Sequence, residues 1–457
     1  MSIEQSEARH TKSAAQALAE FATTLQFDQI PAAVLERAKD CMIDTVAVCT
    51  YCSTLESSKI VIDYATRYSK GGASVILGTP HAVGAPHAAF ANGALAHAFE
   101  MDSLVQPGVG AHPGASLTAP GLAVAQEIGA SGKELVTAFV AGAEVLYRIG
   151  DAARQSVEKL GFHAPGVTGA FGGAVVAGRL LGLDAERMTH AFGIAGSLCA
   201  GLLEFSKSGG GMVKRMHIGR AAESGVMAAM LARSGFTGPA TVLEGKFGYL
   251  NVYCRDGDAT RFTSGLGQDW NTLKTALKRY ACHVTAHVPV TAALEIKARH
   301  GISGADIASI TVAGSEKMAS HHNIPEPRDV AMAQYSTPFC VALAFCRDPR
   351  DPRVFSDAAL NDAEIRALCR KVKIEVRDET DEKNPLASRV TVRLKDGREL
   401  VQNTQYFPGL PEQPLNRAEL REKFNALTAS MPAEVAERVF TRFSGLESVG
   451  DLRTVLA

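Results

Sequence analysis

The run Lys214-Arg215-Met216-His217 brings two cations and an imidazole to the expected start of a helix rich in small residues. The glycines Gly209-Gly210-Gly211 lead into this run and allow a flexible turn. Because the first amides of a helix have no partners within the helix, such a start can hold an anion. Taken alone, the pattern favours an ordinary basic surface turn, so other residues must decide.

Two further polar segments lie in apolar surroundings, Gly161-Phe162-His163-Ala164-Pro165-Gly166 and His112-Pro113-Gly114-Ala115. Imidazole titrates near neutral pH, and a histidine between glycine and proline in a loop favours proton transfer over core packing. His163 is therefore the first candidate for a general base or acid. For His112 a catalytic and a structural role both stay open, since Pro113 favours extended backbone there. Together the three segments predict one basic, histidine-rich pocket for a small carboxylate.

Breaking a bond next to a carboxylate needs a base and cations that stabilise the developing negative charge. Lys214 would hold a carboxylate or donate a proton, and the alternative for it is a solvated surface lysine. Tyr335 follows Gln334 just before an apolar helix. It is either a substrate contact or proton relay, or a phenol with a partner in the core.

His283 and His287 are four residues apart and would share one helical face, so the pair could bind zinc. The glutamate of the H-E-x-x-H motif is missing. The cations Lys278 and Arg279 beside the pair favour an anion instead, so no metal is predicted. The pair His321-His322 lies in a polar loop and is predicted to be solvated.

Composition limits the function further. The chain has 457 residues, 46% hydrophobic and 21% charged, which is typical of a soluble globular protein with two domains. A net charge of -1 argues against nucleic acid and anionic membrane as partners. No Gly-x-Gly-x-x-Gly motif follows a strand and no phosphate-binding loop is present, so no cofactor is predicted.

Nine scattered cysteines are expected to be buried free thiols in a reducing compartment. The polar N-terminal segment has no signal-peptide pattern, and no apolar run reaches membrane-spanning length. The sequence therefore predicts a cytoplasmic protein that does not cross a membrane.

The order of elements predicts a mainly α protein with a large helical domain and a smaller α+β domain. Apolar spacing predicts helices first, then alternating strands with an Asp396-Gly397 hairpin turn, then helices again. The expected domains are residues 1–270 (helical), 271–407 (α+β) and 408–457 (helical, returning to the first). Helices are predicted at 57–69, 115–128, 132–155, 167–181, 185–205, 218–234, 290–299, 337–345 and 362–369, and strands at 308–313, 372–376, 390–394 and 399–405.

Several motifs occur in an order that resembles the MmgE/PrpD family, which includes 2-methylcitrate dehydratase, cis-aconitate decarboxylase and iminodisuccinate epimerase. The resemblance covers nearly the whole chain. The motifs are His97-Ala98-Phe99-Glu100-Met101-Asp102, His112-Pro113-Gly114-Ala115, Gly161-Phe162-His163, Lys214-Arg215-Met216-His217-Ile218-Gly219, Lys278-Arg279-Tyr280 with His283 and His287, Gln334-Tyr335, Gly409-Leu410-Pro411, Asn416 and Lys423-Phe424.

The resemblance implies a large all-helical domain built from both chain ends plus a smaller α+β lid domain. It also implies a homodimer with a metal-free active site between the two domains. The leading hypothesis is a cofactor-independent lyase that dehydrates a substrate like 2-methylcitrate. The alternatives are a cis-aconitate-type decarboxylase, an iminodisuccinate-type epimerase and a non-catalytic carboxylate-binding protein. Carried over by position, the catalytic residues would be His163, Lys214, His112, Tyr335 and Asp102, and the substrate-binding residues Lys278, His283, Arg279, His217 and Glu100.

One motif departs from the family pattern. Where relatives usually carry Asp-x-Asp-Asp-Thr, this chain has Glu100-Met101-Asp102-Ser103-Leu104. The first acid is longer by one methylene, the third acid is a serine, and the threonine hydroxyl is lost to leucine. Asp102 therefore ranks above Glu100 as a functional acid, and the part of the site that recognises the substrate is expected to differ.

Overall fold

Helices make up most of the first part of the chain, as the spacing of apolar residues predicts. The structure is a computed structural model that describes residues 12–154, 156–208, 211–377 and 384–456. Its first helices are α1 (Ala14–Thr24), α2 (Ala32–Cys52), α3 (Glu56–Tyr68), α4 (Ala85–Ala96), α5 (Ala119–Ile128), α6 (Gly132–Ala152), α7 (Ser156–Lys159), α8 (Ala164–Leu180), α9 (Ala185–Leu198), α10 (Phe205–Ser208), α11 (Met212–Arg233) and α12 (Tyr249–Tyr253).

Small residues let α11 lie directly against α4 and α8. A Cβ added to Gly225 would come within 2.5 Å of the carbonyl carbon of Gly173 in α8. One added to Gly219 would come within 2.5 Å of the Phe90 carbonyl oxygen in α4. These contacts leave no room for a larger side chain. They fix α11 in the bundle and with it the position of its first turn.

Two-residue strands connect parts of the helical region, and one pair reaches the second half of the chain. These strands are β1 (Ser74–Val75), β2 (Ala82–Val83), β3 (Leu104–Val105) and β4 (Thr275–Ala276). Leu104 pairs with Ala276 in an antiparallel bridge between β3 and β4. The loop after α4 is therefore tied to the segment that begins the second region.

The second region mixes helices with a four-stranded sheet. Its elements are α13 (His287–His300), β5 (Ile307–Gly314), α14 (Glu316–His321), α15 (Val330–Tyr335), α16 (Thr337–Cys346), α17 (Asp357–Leu360), α18 (Ala363–Cys369), β6 (Val372–Val376), β7 (Ser388–Leu394) and β8 (Glu399–Thr404). The strand order is β6-β5-β7-β8, with β5 and β6 parallel and the other pairs antiparallel.

The period-two patterns correspond to these strands. Val390, Val392 and Leu394 of β7 are buried, and the residues between them are more exposed. The predicted turn joins β7 to β8, and Gly397 has a φ of +92°, a left-handed conformation that favours glycine. The mainly α fold with a smaller α+β part is confirmed.

The end of the chain returns to the first helices, as expected. Its helices are α19 (Arg417–Leu427) and α20 (Ala433–Ser444). Lys423 of α19 forms a buried ion pair with Asp44 of α2. The Gly132 amide donates to the Val449 carbonyl at 2.8 Å. The exact division into 1–270, 271–407 and 408–457 stays a prediction.

Several predicted helix limits are wrong. Helix α11 begins at Met212 and not at residue 218, so Lys214 lies in its first turn. The predicted helix 115–128 opens with a π-turn over Gly114–Thr118, next to Pro120, which lacks the N–H of a regular helix. The helix predicted over 185–205 already ends at Leu198. Residues 155, 209 and 210 lie outside the described residues.

The structure bears on two further expectations, that the cysteines are buried free thiols and that the chain does not cross a membrane. All nine cysteines are free, and eight of them are buried. Among the described residues, no helix combines the length and the apolar character that crossing a membrane requires.

Candidate active site

Glu100 is the residue on which two lysines and a tyrosine from three parts of the chain converge. Its carboxylate pairs with Lys214 in the first turn of α11. Its other oxygen lies 3.1 Å from Lys278 Nζ, just after β4. The Tyr335 hydroxyl at the end of α15 donates to Glu100 Oε1 at 3.1 Å. The first helical domain and the second region therefore meet at one carboxylate.

Asp102 holds two imidazoles beside this cluster. Its Oδ2 lies 2.8 Å from His97 Nδ1 and 2.7 Å from His112 Nδ1. A carboxylate that accepts from both Nδ1 atoms assigns the protons to them, so each Nε2 becomes a proton acceptor. The His112 side chain is 15% exposed and that of His97 only 1%. His112 is therefore the ring of this pair that a bound molecule can reach.

His163 and His217 form a second imidazole pair. Their Nδ1 atoms lie 3.1 Å apart, so one ring donates a proton to the other. Phe205 packs edge-on against both rings. The His163 ring also lies 5.7 Å from that of His97. The four histidines thus form a continuous group with His97 and His163 at its centre.

His283 borders the cluster from the second region. Its ring stacks on His322 with centroids 4.0 Å apart and lies 5.2 Å from the Tyr335 ring. The solvated loop predicted for His321-His322 is wrong for His322, which is only 4% exposed, while His321 is exposed. The reason is that the aromatic stack covers His322, and its Nδ1 is 3.1 Å from the Tyr335 carbonyl.

The loop that carries Glu100 and Asp102 is held by its backbone. Gln334 Nε2 donates to the Phe99 carbonyl at 3.0 Å, and Lys423 Nζ donates to the Met101 carbonyl at 3.1 Å. Glu100 has a φ of +55°, a left-handed conformation that is uncommon for a residue with a side chain. Such conformations persist where the surroundings impose them, and they concentrate at functional sites.

The carboxylates stay ionised despite burial. Burial raises the pKa of a carboxyl group, but Lys214 and Lys278 outweigh it and hold the pKa of Glu100 well below its ordinary value. For Asp102 burial is likewise outweighed, by His97, His112 and Lys278, and its pKa is also well below the ordinary value. Burial and the carboxylates act oppositely on Lys278, whose pKa is raised.

The buried histidines stay neutral. Burial, only partly opposed by Asp102, lowers the pKa of His97 to about 4. Burial and neighbouring cationic groups hold the pKa of His163 well below its ordinary value. The same causes act on His283. Near pH 7 the cluster therefore has two ammonium groups, two carboxylates and neutral rings that can accept or relay a proton.

Arg279 lies apart from this group. Its guanidinium donates to Glu422 of α19 at 2.6 Å, so the side chain points to the C-terminal helix. The geometry does not support the substrate-binding role expected for it.

His283 and His287 do not share one helical face as predicted, because His283 caps a short turn and His287 begins α13. The His287 ring instead lies 3.3 Å from the Cys282 carbonyl.

His97, Asp102 and His112 are close enough to ligate one metal ion, with ligand atoms within 4.8 Å of one another. Both histidines turn the same nitrogen, Nδ1, toward one Asp102 oxygen at hydrogen-bond distance. This arrangement satisfies the N–H groups without an ion. The metal-free site stays a prediction.

Three residues of this arrangement were not assigned a site role from the sequence: His97, Gln334 and Lys423. His97 has a signal, since it stands five residues before Asp102 in the segment that resembles the family. Gln334 and Lys423 also stand in segments that resemble the family, but they act through backbone carbonyls far away in sequence, and residue type does not reveal such contacts. Of the ten site residues predicted from the sequence, all except Arg279 lie in or beside the cluster.

Comparison with known proteins gives matches along nearly the whole chain. The model of the MmgE/PrpD N-terminal domain matches residues 16–261, and that of the MmgE/PrpD C-terminal domain matches residues 280–444. A cis-aconitate decarboxylase of Aspergillus terreus is 29% identical over 463 residues, covering 95% of this chain and 94% of the relative.

Two further relatives carry the same name. One, from Aspergillus terreus strain NIH 2624, is 30% identical over 440 residues, which cover 91% of this chain and 89% of the relative. The human cis-aconitate decarboxylase is 27% identical over 440 residues, with 93% and 90% covered. All three relatives are therefore named for a decarboxylation and none for a dehydration.

Proposed function

Because this chain belongs to the MmgE/PrpD family, we propose that it is a lyase that decarboxylates a small unsaturated polycarboxylate of the cis-aconitate kind. The names of the relatives favour this reaction over the dehydration of 2-methylcitrate that the sequence put first. Dehydration and epimerisation need the same kind of pocket, so they remain outcomes of the test.

One observation supports the proposal most: two lysines, a tyrosine and two imidazole pairs meet in one largely buried cluster. Decarboxylation beside a double bond breaks the bond between the departing carboxylate and its methylene carbon. The electron pair forms a new double bond, and the former double bond takes a proton beside a remaining carboxylate. Such a reaction needs a proton donor and cations for the carboxylates that stay.

Each role has a candidate in the cluster. Lys214 is partly exposed and would bind a substrate carboxylate. Lys278 is buried, and its positive charge would stabilise the same carboxylate. His112, oriented by Asp102, and His163, paired with His217, are the candidates for delivering the proton. Tyr335 would orient the substrate or relay a proton. A non-catalytic binding protein has no need for two oriented imidazole pairs.

Proton NMR in deuterated water tests the proposal with cis-aconitate, citrate, 2-methylcitrate and iminodisuccinate, each with and without a chelator. Carbon dioxide and a product with deuterium at the protonated carbon support decarboxylation. New olefinic signals from a hydroxy acid would mean dehydration, and deuterium uptake without net change would mean epimerisation. Binding without turnover of any compound would make it a binding protein. Loss of activity with the chelator would contradict a metal-free site.

The protein is further proposed to be a homodimer. An exposed apolar face on α3 and α11, with Ile60, Tyr64, Met212 and Met216, supports this, since monomers rarely expose such patches. Sedimentation velocity of the wild-type protein and of Met216→Glu tests it. A monomeric wild type would contradict the proposal, and dissociation of only the variant would locate the interface.

A further inference from the structure

Glu100 occupies a position built to hold a carboxylate. Lys214 and Lys278 pair with its two oxygens and Tyr335 donates to one of them, so three donors surround one anionic group. The side chain is 8% exposed, and its backbone is held in the left-handed region by contacts at both neighbouring carbonyls. The protein thus fills this position with its own side chain.

The charges of the cluster are already balanced. Two ammonium groups face the two carboxylates of Glu100 and Asp102, and the buried rings are neutral. A bound dicarboxylate adds two negative charges to this buried group, and a tricarboxylate adds three. Since unpaired buried charge is strongly unfavourable, each added carboxylate costs binding free energy, and a tricarboxylate incurs this cost once more than a dicarboxylate.

The loop that carries Glu100 also lacks a hydrogen-bond donor at position 104. Leu104 stands where the family pattern has threonine, and it packs with Ala276, Val288, Phe407 and Leu410 in a buried apolar cluster. It cannot donate a hydrogen bond to a carboxylate. Compared with the family pattern, Glu100 extends an acid by one methylene toward the two lysines and Leu104 removes a hydroxyl donor, and both changes favour a less anionic substrate.

We infer that Glu100 takes the place of one substrate carboxylate, so that the enzyme acts on an unsaturated dicarboxylate with an apolar group where a tricarboxylate has its third carboxylate. This inference rests on the proposed function for identifying the cluster as the substrate site. For such a substrate, (E)-3-methylglutaconate, in which a methyl replaces the central carboxylate of cis-aconitate, the reaction consumes one proton and gives carbon dioxide and 3-methylbut-3-enoate, with the electron movement described above.

Binding of two unreactive compounds tests the inference without turnover. The compounds are 3-methylglutarate and propane-1,2,3-tricarboxylate, which differ only in a methyl or a carboxylate on the central carbon. Calorimetry is expected to show at least about tenfold tighter binding of the dicarboxylate by the wild type, which corresponds to about 1.4 kcal/mol. Equal or tighter binding of the tricarboxylate, or no binding of either compound, would overturn the inference.

Two variants identify Glu100 as the cause. Glu100→Gln keeps the volume and removes the charge, and Glu100→Asp withdraws the carboxylate by one methylene. Each is expected to shift the preference toward the tricarboxylate by about tenfold. Glu422→Gln is the matched control because it removes one charge from the half-exposed partner of Arg279, and it should keep the wild-type preference. An unchanged ratio in both Glu100 variants that fold would overturn the inference.

Turnover separates this inference from the proposed function. Tighter dicarboxylate binding without carbon dioxide from either (E)-3-methylglutaconate or cis-aconitate would contradict the decarboxylase and leave the role of Glu100 intact. A wild-type enzyme with a higher kcat/KM for cis-aconitate than for (E)-3-methylglutaconate would do the reverse. It would confirm decarboxylation and overturn the assignment of a dicarboxylate substrate.

Discussion

The buried ion pair Glu144–Arg148 in α6 and the buried cluster around Glu100 contain similar groups and are built differently. Arg148 donates to Glu144 at 2.8 Å and to the carbonyls of Ser264, Gly265 and Asp269. Glu144 in turn accepts from the amides of Asn271 and Thr272 at 3.0 and 2.8 Å. Both side chains are fully paired with the segment that leads to β4.

The cluster around Glu100 is less complete. Asp102 Oδ1 and His97 Nε2 are buried without a hydrogen-bond partner among the described residues. Buried polar atoms are normally paired, so two unpaired atoms within one charged cluster distinguish it from the Glu144–Arg148 pair. The comparison teaches that a buried charge network stabilises the fold when every group is paired, and that groups left incomplete are available for chemistry.

The largest effect is expected in the complete pair. Arg148→Met leaves Glu144 as an uncompensated buried charge, which should lower the free energy of unfolding by about 3–5 kcal/mol. Urea denaturation measures this loss. The double variant Glu144→Leu/Arg148→Met should lose much less, because no charge stays unpaired. A loss below about 1 kcal/mol in the single variant would remove the contrast between the two clusters.

In the incomplete cluster the loss should fall on turnover. Lys214→Ala removes a cation from the partly exposed side of the cluster and should lower kcat by about 10²–10³ with little change in the melting temperature. The neighbour Arg215, whose guanidinium bonds to Ser57, provides the matched control. Full activity of Lys214→Ala, or an equal loss in Arg215→Ala, would rule out the role given to Lys214.

Asp102 should act through the histidines. Asp102→Asn replaces a carboxylate, whose Oδ2 accepts from two rings, with an amide, and it should misorient His112 and lower kcat by about 10²-fold. Because Asp102 is a positioning residue, the pH dependence of kcat should also shift. A reduced kcat with an unchanged pH profile would mean that Asp102 serves only the fold.

A fall in pH should destabilise the folded protein through His97, in the cluster around Glu100. The pKa of His97 is about 4 in the folded protein and about 6.5 in an unfolded chain, so the unfolded state binds the proton first. Its contribution to stability is present above pH 6.5 and is lost as the pH falls toward 4, by up to about 1.4 kcal/mol per pH unit. Urea midpoints measured from pH 7 to pH 4 should fall less steeply in His97→Gln. An identical slope would contradict this.

The smallest effect is expected outside both clusters. Arg279 pairs with the half-exposed Glu422, so Glu422→Gln should change kcat/KM by less than about threefold and stability by less than about 1 kcal/mol. Steady-state kinetics and thermal melting measure both. A tenfold loss of kcat/KM would return Arg279 to the substrate site that the sequence suggested.

Residue patterns along the chain predicted most of the elements. The alternation in β7, the Asp396-Gly397 turn and the apolar spacing of α6 and α8 are local signals, so sequence reading finds them. The start of α11 was placed six residues late, because Lys214 to His217 have no apolar spacing to show that they are helical. Tertiary packing on α4 and α8 extends the helix over them.

The sequence by itself determined which groups are available for chemistry, because histidine, lysine, tyrosine and carboxylate side chains carry their reactivity with them. The tertiary structure decided how they pair. It placed His97 behind Asp102, turned Arg279 to Glu422 and brought Lys214 and Lys278 to the same carboxylate from residues 64 positions apart. Such pairings depend on distance, burial and the path of the backbone, which no local pattern of residues contains.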